Sequence, residues 1–181
     1  MKRNPDQALL SRPLKVEEIK DGTSGEMTAT EAERSAIARM LDLVALERLA
    51  FTYRITQGGE GRLHLTGRLA AEVTQTCVVS LDPVGASLDV PVEVDFWPAF
   101  LLDALERSSE EPGHSGLLDW PEAIVEGKID LGPLIYETLA TALDPYPKRE
   151  GASFHWPQNA PKTPESAPTG PFAALAALKR R

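Results

Sequence analysis

The residues able to do chemistry in this chain are few and are not arranged for it. One cysteine, Cys77, and three histidines, His64, His114 and His155, are its only thiol and imidazole side chains. A nucleophilic cysteine needs a base within hydrogen-bond reach and an electropositive, accessible setting. The histidines fall in a strand-like stretch, a polar loop and a proline-rich segment, so spacing sets none of them beside Cys77. A lone cysteine closes no internal disulfide and makes no zinc site by itself. The chain has no GxSxG elbow, no phosphate-cradling glycine loop, no HExxH and no pair of CxxC motifs. Asp119, Glu122, Glu126 and Asp130 are too far apart for a calcium loop and read as a solvated acidic loop. These absences predict a protein that is not an enzyme and uses no cofactor, with Cys77 a small core residue.

Charge is the next candidate for function. The 181 residues carry a net charge of −8. Residues 1–20 hold five Lys/Arg against three Asp/Glu, and residues 148–181 hold six against two, which leaves eight against 22, or −14, in residues 21–147. An acidic body with mildly basic ends opposes broad phosphate binding and favours a basic partner. Arg54, Arg62 and Arg68 would come together if a simple hairpin register joined them, although three solvated arginines on a sheet face is the preferred reading. No run of eighteen apolar residues and no charged-then-apolar leader is present, so a cytoplasmic protein with no membrane contact is expected.

The elements that must position these groups centre on residues 62–96. From Leu63 to Leu81 the odd positions are mainly apolar, including Leu65, Leu69, Val73, Cys77 and Val79, while polar side chains occupy most even ones. That period of two predicts a long strand, bent at Gly67 and turned at Asp82 to Gly85 into a second strand ending at Phe96. Pro91 marks the second strand as an edge or has that position facing away from a neighbour. Before it, capping boxes Thr28 with Glu31 and Thr30 with Glu33 open a helix whose stripe is Ile37, Met40, Leu41 and Val44, continuing to Leu49. Phe51, Tyr53 and Ile55 form a strand that turns through Gly58 to Gly61 into the central one. The first 27 residues supply one short strand, then a turn-like DGTSGE. After Phe96, AFLLDALE is a short helix, and Asp130 caps another with Leu134, Ile135, Leu139, Ala142 and Leu143 as its apolar positions, stopped at Asp144-Pro145-Tyr146-Pro147.

The expected fold is α+β, an antiparallel sheet or partly open barrel covered by two main helices. Residues 1–150 form a single domain, 151–170 a disordered, flexible linker and 171–181 a short C-terminal helix carrying Phe172, Leu175 and Leu178.

Four blocks, ATEAERSAIARMLDL, GRLAAEVTQTCVVSLDPV, IVEGKIDLGPLIYETLATALDPYP and PFAALAALK, occur in an order and spacing that resembles the YceD family of large-subunit (23S) ribosomal RNA accumulation proteins, in its alphaproteobacterial form. The resemblance implies a bacterial, cytoplasmic, non-enzymatic ribosome-biogenesis factor needed for rRNA synthesis, processing or stability. Its signature falls on Gln75, Cys77, Leu81 and Pro83, then Asp130, Leu131, Gly132, Asp144, Pro145 and Pro147. Relatives often read C-x-x-C-L-x-P at the cysteine, which suggests a metal there; Ser80 replaces the second cysteine here, and no metal is carried over.

Two function classes follow. In the first, the protein binds large-subunit ribosomal RNA or a pre-large-subunit particle, with Arg54, Arg62, Arg68, Phe172, Leu175, Leu178, Lys179, Arg180 and Arg181 as candidate contacts. In the second, it is an acidic adaptor or chaperone for a basic ribosomal protein, with an indirect effect on the RNA. The terminal segment is expected to dock, either on its own domain or on a partner.

Overall fold

The computed structural model describes residues 10–109 and 120–154. The terminal segment 171–181, most of the expected linker, His114 and His155 lie outside the described residues. Leu63, Leu65, Leu69, Ala71 and Val73 are buried, as the alternation requires, and their strand is the centre of the molecule. The strands are β1 (Pro13–Lys15), β2 (Thr23–Thr28), β3 (Ala45–Gln57), β4 (Leu63–Thr76), β5 (Pro83–Pro98), β6 (Glu122–Ile124) and β7 (Lys128–Asp130). The helices are α1 (Glu31–Met40), α2 (Ala99–Ser109) and α3 (Leu131–Ala142).

A five-stranded sheet has the order β2-β3-β4-β5-β6, antiparallel throughout except for a short parallel pairing of β5 with β6, and it does not close into a barrel. A separate ribbon pairs β1 with β7. On the inner face Phe51 lies opposite Leu69, Ile55 opposite Leu65, and Leu63 opposite Phe96. Ile37 and Ala38 of α1 and Leu131, Ile135 and Leu139 of α3 complete one buried cluster with that face. These are the two covering helices expected. Among the described residues β6 pairs only with residues 96–98, so the rest of β5 has no neighbour on that side, and Pro91 costs no ladder bond there. No described helix is long and apolar enough to cross a membrane.

Several boundaries differ from the sequence reading, each for a local reason. The strand expected to run to Leu81 ends at Thr76, and residues 77–82 are the connection. The apolar alternation continues through that connection as Cys77, Val79 and Leu81, but only Cys77 is buried, Val79 is half-buried and Leu81 is exposed. The register passes Gly67 unbroken and shifts instead between Leu46 and Arg48. Gly67 is needed for close approach: a Cβ there would sit 2.8 Å from the Phe51 ring and 2.7 Å from the Thr52 carbonyl oxygen.

The helix expected to reach Leu49 stops at Met40. Thr30, not Thr28, is its N-cap, with a reciprocal box to Glu33. A tight turn with Asp42 at φ 54° follows, and the Leu46 and Leu49 stretch pairs with β4. Met40 and Val44, expected on the buried stripe, are therefore exposed. The turn-like 21–26 stretch contributes to β2, where Gly25 makes room for the Tyr53 ring on β3. The stretch expected as an acidic loop includes the short strands β6 and β7, joined by a turn in which Glu126 (φ 52°) and Gly127 (φ 69°) are both left-handed, the geometry of a tight hairpin.

Candidate functional site

The β4–β5 connection, Cys77-Val78-Val79-Ser80-Leu81-Asp82, is a closed turn. Its ends are tied by the Cys77 amide donating to the Asp82 carbonyl at 2.8 Å and the Leu81 amide donating to the Cys77 carbonyl at 3.0 Å. The Cys77 side chain points inward and is fully buried. Three backbone amides, those of Val79, Ser80 and Arg149, converge on its sulfur at 3.4 Å each.

The third donor comes from far along the chain. After α3, residues 144–149 fold back onto the turn: the Val78 amide donates to the Pro147 carbonyl at 2.9 Å, Gln75 Nε2 to the Asp144 carbonyl at 2.9 Å, and the Arg149 guanidinium to Asp82 Oδ2 at 2.8 Å. Within that segment the Asp144 carboxylate accepts from the Tyr146 amide at 2.9 Å, and Pro147 is buried. Gln75, Cys77, Leu81, Pro83, Asp144, Pro145 and Pro147 thus belong to one small structure at the tip of the sheet.

The electrostatics follow from these contacts. The Arg149 amide, then the Ser80 hydroxyl and amide, stabilise the thiolate and bring the Cys77 thiol down to about 6, with burial opposing. The Arg149 guanidinium, helped by the Ser80 hydroxyl, lowers the Asp82 carboxyl. Cys77 occupies the core-like position expected of it, and its sulfur is also the acceptor that holds two distant segments together. Among the described residues no group of three or more His, Cys, Asp or Glu side chains could hold a metal ion.

Three apolar side chains stand exposed at this tip, among the exposed Ser80, Asp144, Lys148 and Arg149. Val78 is 54% exposed, and Leu81 and Tyr146 are each 75% exposed. Leu81 adopts φ 63°, a left-handed conformation that L residues with a branched side chain rarely occupy without a reason. The fold thus holds a large apolar side chain in solvent at a conformational cost.

The remaining signature residues sit elsewhere. Asp130 caps α3: its Oδ1 accepts from the Gly132 amide at 2.9 Å and from the Arg12 amide at 2.6 Å, while Oδ2 accepts from Ser11 Oγ at 2.9 Å. Leu131 is fully buried, and Gly132 lies against the Leu10 carbonyl, where no Cβ fits. Arg12 reaches Glu33 of the α1 capping box through a two-pronged ion pair at 2.8 and 2.9 Å. This second cluster joins the N-terminal strand to both covering helices.

The three arginines do not form one patch. Arg54 faces Thr66 and Arg68 faces Thr52 in the β3–β4 register, which puts them diagonally on one face, but Arg68 is paired with Asp89 at 2.8 Å. Arg62 lies before β4, paired with Glu60 at 2.6 Å and stacked 4.5 Å above the Trp97 ring. On the same outer face His64 Nδ1 is 2.8 Å from Asp95 Oδ1. Phe172, Leu175, Leu178, Lys179, Arg180 and Arg181 lie outside the described residues. The sequence does not single out Val78, Tyr146 or Arg149; the available signal is the Asp-Pro-Tyr-Pro run, which reads as a helix stop and carries the signature residues Asp144, Pro145 and Pro147.

Residues 65–179 match the family model described as large ribosomal RNA subunit accumulation protein YceD. No curated protein and no solved structure matches the chain.

Proposed function

From the premise that the chain belongs to the YceD family of large ribosomal RNA subunit accumulation proteins, we propose that it is a non-enzymatic ribosome-biogenesis factor that works in the cytoplasm and acts through its Cys77 tip. The observation that carries this reading is the convergence of residues 75–83 and 144–149 on one hydrogen-bonded turn that leaves Val78, Leu81 and Tyr146 exposed. Chemistry is not needed for the role: a factor that supports synthesis, processing or stability of the large-subunit RNA needs a surface that recognises and holds.

The direct partner is better matched by a basic ribosomal protein than by bare RNA. Residues 21–147 carry −14, a field that repels duplex phosphate and draws in a cationic extension. The tip supplies the apolar anchor and the acidic body the steering. Co-purification with the tagged full-length chain tests this. At low salt a basic large-subunit protein is expected with it, and large-subunit RNA only through that protein, so that nuclease treatment leaves the protein bound. Loss of the protein on nuclease treatment would place the direct contact on RNA instead.

A further inference from the structure

We infer that in the free protein the exposed tip is covered by the chain's own terminal segment, residues 171–181, which a partner must displace. The inference concerns what occupies the tip and stands whichever partner the tip serves.

The described chain leaves the body at the tip. The Arg149 amide is on the Cys77 sulfur, the Ala152 amide turns back to the Arg149 carbonyl at 3.0 Å through Gly151 at φ 75°, and Phe154 is the last described residue. Residues 155–170 then separate that exit from Pro171. A coil of that length has a root-mean-square span of about 22 Å, well matched to a return onto the surface it has just left. At this tether length the effective concentration is on the order of millimolar, so even a weak contact is well populated.

The segment is built to be a small apolar plug. Pro171 suits a first helical position, and Phe172, Leu175 and Leu178 recur every third residue, which gathers them on one side of about two turns. So short a helix is not stable alone and gains its order only against an apolar surface. Val78, Leu81 and Tyr146 supply such a surface, and no described residue buries them. Lys179, Arg180 and Arg181 follow the apolar triad and are attracted to the −14 body. The family match spans 65–179, so tip and terminal segment belong to the same matched unit.

The test is photocrosslinking in the purified full-length chain at low micromolar concentration, with p-benzoyl-phenylalanine at position 172. The expected product is an adduct within one chain, mapped by mass spectrometry to residues 77–82 or 144–149. Leu81→Asp in the same chain should cut that adduct at least tenfold while leaving the melting temperature within about 2 °C, because Leu81 is exposed and Asp tolerates a left-handed backbone. Adducts between two copies, adducts elsewhere on the body, or none would each overturn the inference. None of these outcomes bears on the ribosomal reading, which is judged by co-purification and by RNA levels.

Discussion

Asp130 lets the fold-holding cluster be separated from the tip. Its carboxylate caps α3 through the Gly132 amide and also accepts the Arg12 amide and the Ser11 hydroxyl. Asp130→Ala removes the cap, about 1 kcal/mol, and two further bonds to a charged acceptor at the edge of solvent, about 0.5–1 kcal/mol each. The sum is about 2–3 kcal/mol. With an m-value of about 2 kcal/mol/M for a domain of this size, the urea midpoint should fall by about 1–1.5 M. Asp130→Asn keeps one acceptor oxygen and should recover roughly half of the loss. Tryptophan fluorescence during urea unfolding provides the assay, and at permissive temperature the variant should still support large-subunit RNA accumulation. A wild-type midpoint for Asp130→Ala would refute the energetic argument. A lost function at a wild-type midpoint would show that Asp130 is itself a contact residue.

Cys77→Ala should leave the Val79, Ser80 and Arg149 amides without their acceptor and make the 144–152 segment more readily cut by protease than in the wild type. A thiol lowered from 9.0 to about 6 binds its proton less readily when folded, so its contribution to stability is full above about pH 9 and is lost as pH falls through 6. The wild-type melting temperature should accordingly rise between pH 6 and 9 relative to Cys77→Ala. The Arg12 ion pair holds Glu33 at about 2, against an ordinary value of 4.5, so that contribution is complete above pH 4.5 and disappears as pH falls toward 2; Glu33→Gln should flatten the acid limb of a melting-temperature profile. Gly132→Ala drives a methyl into the Leu10 carbonyl and should lower the melting temperature by about 5 °C or more, measured by calorimetry.

What the sequence made legible follows from local periodicity. The inward alternation of Leu63 to Val73, the box from Thr30 to Glu33 and the Asp130 cap each depend on neighbours a few residues away, and each is present in the structure. The strand at 45–49 was hidden because an apolar run of that length suits a helix as well as a strand, and pairing with β4 decided it. The candidate site was legible only in pieces. Cys77 reads as an inward cysteine, but the Arg149 amide that meets it is 72 residues away. The exposure of Leu81 is disguised by apolar character, which in a continuing alternation is indistinguishable from core. No periodicity encodes a contact between a hairpin tip and the segment after a helix.

The central claim is that the Cys77 tip is the working surface of a large-subunit biogenesis factor. Its most direct test is to replace the cellular copy with a full-length Leu81→Asp, Tyr146→Ala chain and measure the ratio of large- to small-subunit RNA across a sucrose gradient. Both side chains are three-quarters exposed, so the variant should fold and accumulate as the wild type does. The ratio should fall to that of cells that lack the protein. A wild-type ratio, in cells whose deletion strain shows the defect, would contradict the claim.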